Sequence, residues 1–96
     1  MEYHFERISL DIDGKLGLFV SGVACLERDR HGQFWIDCIS VEGPDGLVKL
    51  DRSGSQWNIE LLRSIEAALY DERTKAGRAA RDVWAAHVES ERADAA

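Results

Sequence analysis

The stretch CLERDRHGQFWIDC holds Cys25 and Cys38, the only thiols in a chain of 96 residues. Two cysteines flanking a charged, glycine-containing turn could clip a metal, close a disulfide, act as a redox pair, or fill space on neighbouring strands. The turn decides between these. A three-residue loop Arg30-His31-Gly32, with glycine in the left-handed position, sets residue 29 against 33 and Cys25 against Asp37. The thiols then lie on opposite sheet faces. A two-residue loop His31-Gly32 sets Cys25 directly against Cys38, and only that register permits a cross-strand disulfide. Pairing of Leu26 with Ile36 favours the three-residue loop. The expectation is therefore two reduced, metal-free thiols packed in or beside the sheet.

Other chemistry-bearing residues are scattered. Ser9, Asp11, Asp13 and Gly14 occupy the spacing of half a calcium loop, but Val20 stands where its bidentate glutamate is needed. His87 and Glu91 are four apart on a helical pattern, where a histidine near a helix end more often complements the dipole than binds metal. Lys75, Arg78 and Arg81 make a small basic patch that reads as a solvated helix face. The three histidines His4, His31 and His87 fall in separate elements, and no glycine-rich loop joins a strand to a helix. These patterns point to a protein that is not an enzyme and uses neither cofactor nor metal.

Charge narrows the partners. The chain carries 18 acidic against 12 basic side chains, a formal net charge of −6. Residues 1–56 and 57–96 are both acidic, so direct nucleic-acid binding, which depends on Lys and Arg displacing counterions, is not expected. An acidic surface suits basic protein partners. No apolar run approaches the roughly 20 residues that span a bilayer, so no membrane association is expected. The stretch MEYHFERISLDID lacks the basic start and apolar centre of a secretion signal, so a cytoplasmic setting is expected.

The elements that must position these residues read as an α+β fold. It is a four-stranded antiparallel β-meander followed by a C-terminal amphipathic helical region, either one long helix or two broken near Gly77. Residues 3–12 alternate, with Ile8, Leu10 and Ile12 on one face and Tyr3, Phe5, Arg7 and Ser9 on the other. Asp13-Gly14, Arg30-His31-Gly32 and Gly43-Pro44-Asp45-Gly46 supply the turns. Leu61, Leu62, Ile65, Ala68 and Leu69 mark the first helical face, starting near residue 56 behind Ser53 or Ser55 as N-cap. Residues 1–92 are expected to form one domain, with the meander over 1–52 and the helical region over 55–91, and 93–96 as a frayed tail.

Both faces of the strands read as apolar. Strand two divides Val20, Ala24 and Leu26 from Phe19, Val23 and Cys25, and strand three divides Phe34, Ile36 and Cys38 from Trp35, Ile39 and Val41. One helical layer covers one face, so the other needs a partner, a second copy or a folded-back helix. The expected apolar contact residues are Phe19, Trp35, Ala76, Ala80, Val83, Trp84 and His87. The expected acidic ones are Asp11, Asp13, Glu27, Asp29, Asp37, Glu42, Asp45 and Asp51. The reading is a small acidic, non-enzymatic protein-interaction module that self-associates as a homodimer or holds another protein. An alternative is an acidic, anti-CRISPR-like inhibitor that blocks a basic nucleic-acid-binding surface, as phage and mobile-element accessory proteins of this size and charge do. A third is a small-molecule site or enzyme in a cleft between sheet and helix, lined by Trp35 and Trp57.

Overall fold

A computed structural model describes the chain over residues 1–12 and 15–95, and its side chains over 1–10 and 19–93. The Asp13-Gly14 turn and the half-calcium-loop reading therefore lie outside the described residues. Four antiparallel strands in sequential order, β1 (Glu2–Ile12), β2 (Lys15–Arg28), β3 (Phe34–Gly43) and β4 (Gly46–Lys49), precede α1 (Gln56–Tyr70) and α2 (Lys75–Ala95). This is the α+β meander that the alternating and helical patterns specify. α2 continues to Ala95, into the stretch expected to fray.

Two bulges change how the strands use their apolar residues. In β1, Tyr3 faces Ala24 and Phe5 faces Gly22, but Ile8 faces Val20, so Glu6 and Arg7 together oppose Ser21. Arg7 takes a φ of 50°, and its backbone N–H donates to Ser21 Oγ at 2.9 Å. An extra residue moves every later side chain to the other face. Tyr3 and Phe5 thus join Ile8 and Leu10 in the core, correcting the expectation that they lie on opposite faces.

β3 repeats the device. The three-residue loop forms as expected: Asp29 N–H donates to Gln33 O at 2.8 Å, Gly32 has a φ of 79°, and Leu26 pairs with Ile36. Beyond that pair the register shifts, and Cys25 faces Cys38 with Asp37 as the extra residue. The expected separation of the thiols is therefore overturned, because a bulge lets the two competing registers occupy successive parts of one hairpin. It also brings Phe34, Ile36 and Ile39 into one core, with Val41 packed against it.

The helices cover that inner face alone. Ser55 is the N-cap of α1, its hydroxyl accepting from Asn58 N–H, while Ser53 bonds Asp51 instead. Leu61, Leu62, Ile65 and Leu69 are buried on the sheet, each contributing about 1.5–3 kcal/mol of apolar burial. The helical region breaks at 71–74, ahead of Gly77, which lies in the first turn of α2. Thr74 Oγ1 donates to Ala68 O at 2.7 Å and accepts from Gly77 N–H at 2.9 Å, tying the end of α1 to the start of α2. Gly77 is required there because a Cβ would lie 1.9 Å from Asp71 O. Close packing at the turn, rather than glycine's helix-breaking tendency, is what places it. α2 packs on α1 and β1, and Trp84 enters the core against Phe34 at a centroid distance of 6.1 Å.

Candidate protein-docking face

With both helices on one side, the other face of the sheet has no covering element among the described residues. Strand pairing sets its rows. Glu2 and His4 of β1 lie beside Cys25 and Val23; Glu27 lies beside Trp35; Glu42 beside Leu47; and Ser40 beside Lys49. Bulged residues share the face of their neighbour, which adds Glu6, Arg7 and Asp37. Trp35 is 43% exposed, Phe19 55% and Leu47 57%, whereas Val23 is closed over by its neighbours. A solvent-open groove of about 430 Å³ runs over Val23 between His4, Glu6, Glu42 and Leu47.

The electrostatics of this face are one-sided. Among the described residues Glu2, Glu6, Glu27, Asp37 and Glu42 give five carboxylates against the two cations Arg7 and Lys49. Arg7 is engaged over the Phe19 ring at 5.3 Å. Cys25 and Cys38 sit half-buried in the middle with free thiols. The Cys25 thiol is pushed up to about 11, first by its hydrogen bond with Cys38, then by burial, then by the negative charge of Cys38, Glu2 and Asp37. That is the reverse of the lowered value a nucleophilic cysteine needs.

The expected contact residues divide. Phe19, Trp35, Glu27, Asp37 and Glu42 share the open face. Ala80 and Trp84 do not belong to a contact stripe: both are core residues, and the indole N–H of Trp84 donates to Gly32 O at 3.1 Å. Ala76 packs against the core, and Val83 is exposed on α2 away from the sheet's open face. His87 lies 5.6 Å from the Trp84 ring and 3.0 Å from Glu91, whose carboxylate also receives Arg28. That contact fastens α2 to the β2 end. The reason is local: the α2 stripe was apolar because it faces its own sheet, and periodicity cannot say which surface an apolar stripe covers.

Two of the acids are structural. Asp29 accepts from His31 and Gln33 N–H groups at 2.7 and 3.0 Å, shaping the loop, and Asp51 accepts from Ser53 N–H and hydroxyl at 2.9 and 2.8 Å. Asp45 is exposed in the β3–β4 turn. Asp13 and the side chain of Asp11 lie outside the described residues. Leu47, Glu2 and Glu6 were missed by sequence reasoning, although the pairing of a short fourth strand with Glu42 was a usable signal for Leu47.

The expected Trp35 and Trp57 cleft does not form. Trp35 faces away from the helical layer, while Trp57 is exposed in the first turn of α1. Among the described residues no group of three or more His, Cys, Asp or Glu side chains forms a metal-ligand set, and no helix is long and apolar enough to cross a membrane. Comparison of the chain with protein-family models, with curated proteins and with solved structures gave no match in any of the three.

Proposed function

We propose that the protein is a non-enzymatic interaction module whose open sheet face docks a basic, arginine-bearing surface of another protein. The observation that carries this reading is the exposed Phe19, Trp35 and Leu47 set, among the described residues, between five carboxylates and two cations. Exposed apolar side chains on an otherwise polar sheet mark contact surfaces, and arginine satisfies such a site doubly, stacking on indole and pairing with carboxylate.

Size and charge choose between a second copy and a different protein. Four strands spaced about 4.8 Å and roughly 25 Å long give a footprint on the order of 500 Å² per partner, or about 1,000 Å² over both. That is the transient end of specific interfaces, whereas obligate dimers bury about 2,000 Å² or more in total. Apposing two copies of an acidic face would also double its unpaired charge. A heterologous, basic partner fits both constraints, and a protein surface evolved to hold nucleic acid is one class with that chemistry.

The test is retention of the protein on immobilised arginine-rich peptides, with lysine-rich and acidic peptides for comparison. Arginine-rich peptides are expected to retain it, with binding that weakens as salt rises and is lost in Trp35→Ala and in Glu27→Gln with Asp37→Asn. Sedimentation of the same samples reports self-association. Equal retention of the variants, or a stable dimer with no peptide binding, would refute the reading.

A further inference from the structure

The bulge at Asp37 brings the two cysteines of the chain into direct register. Directly opposed residues of an antiparallel pair have Cα atoms about 4.5 or 5.5 Å apart, depending on the pair type. Disulfides need roughly 4.4–6.8 Å, so the backbone requires no rearrangement to accept the bond. The side chains also project from the same face, as directly opposed residues of an antiparallel pair do, and Cys38 is the neighbour that most affects the Cys25 thiol. Both are half-buried, leaving an approach from solvent.

We propose that Cys25 and Cys38 form a redox-modification site that closes into an intramolecular disulfide between β2 and β3 when met by a small disulfide oxidant such as oxidised glutathione. The Cys38 thiolate attacks one sulfur of the oxidant, forming a mixed disulfide and releasing one glutathione thiolate. Cys25 then loses its proton and attacks Cys38 Sγ, forming the protein disulfide and expelling the second glutathione. Two protein thiols are oxidised, one glutathione disulfide is reduced to two thiols, and the released thiolates take up the two protons.

Each attack needs a thiolate, so closure accelerates as pH rises through the mildly alkaline range. Once formed, the bond ties the hairpin across its bulge, diagonal to Trp35 on the open face. This site is independent of the partner reading, because the chemistry is read on the protein alone.

The experiment incubates the folded protein with oxidised glutathione, quenches with acid, alkylates, and determines intact mass and peptide linkage. Cys25→Ser and Cys38→Ser variants and the urea-unfolded chain are run in parallel. The folded protein is expected to lose two hydrogens and retain no glutathione, while each single variant holds one glutathione. Closure in the folded protein is expected at oxidised-to-reduced glutathione ratios about tenfold below those the unfolded chain needs, since the fold holds the thiols together. Two retained glutathiones per chain, disulfide-linked dimers, unchanged mass, or no advantage over the unfolded chain would each overturn the proposal.

Discussion

Gly77→Ala tests the α1–α2 turn because local and tertiary effects have opposite signs. In an unconstrained helix interior the substitution gains about 1 kcal/mol. In this fold the new Cβ would meet Asp71 O at 1.9 Å, the Asp71 carbonyl carbon at 2.7 Å and Ala68 O at 3.0 Å. Every one of those neighbours is backbone, so no side chain can swing aside. Relief requires moving the turn, which strains the Thr74 contacts to Ala68 O and Gly77 N–H. Overpacking of this kind costs about 1–3 kcal/mol, and a lost N-cap about 1 kcal/mol more. After the helix gain is subtracted, the net loss is about 1–3 kcal/mol. For a domain of this length each 1 kcal/mol corresponds to roughly 4–8 °C in Tm. Urea denaturation followed by tryptophan fluorescence, with a thermal melt, measures it. Ala85→Gly, at an exposed α2 position, is the control and should lose only the intrinsic propensity of about 1 kcal/mol. A Gly77→Ala protein as stable as the parent, or more so, would refute the close approach as the reason for the glycine.

Two further tests separate core from surface and acid from neutral behaviour. Trp84→Ala should cost about 3–5 kcal/mol, because the ring is buried on Phe34 and its N–H is bonded to Gly32 O, while Trp35→Ala should stay within about 0.5 kcal/mol. Urea midpoints in the reverse order would contradict the placement of the two residues. Asp71 and Asp51 are held below the usual carboxylate value of 3.8, the first chiefly by the Arg73 side chain and the second chiefly by Ser53 N–H. A depressed folded value means that the stability they contribute is full above that unfolded value and is lost as pH falls through the lower folded one. Asp71→Asn should therefore flatten the acid limb of a stability–pH curve, and an unchanged limb would exclude its contribution.

The sequence alone determined the order of elements, because period-two alternation, three- and four-residue helical spacing and turn residues are local properties. It also singled out Phe19, Trp35, Glu27 and Asp37, whose shared face follows from alternation on the loop side of the β3 bulge, whereas Glu42 joins them only because the bulge rephases the strand. The single residues that rephase β1 at Glu6–Arg7 and β3 at Asp37 were not legible. A bulge is stabilised by its pairing partner and by burial of both apolar halves in one core, and neither is written in the bulged segment. The same limit hid the destination of Ala80 and Trp84, whose stripe announced burial without naming the surface. It also hid the meeting of Cys25 and Cys38, because the loop near Gly32 fixed one register and a bulge five residues further along replaced it with the other. Where local pattern and tertiary packing compete for a single residue of phase, the core decides, since placing one more residue in the strand costs less than leaving a row of large apolar side chains in water.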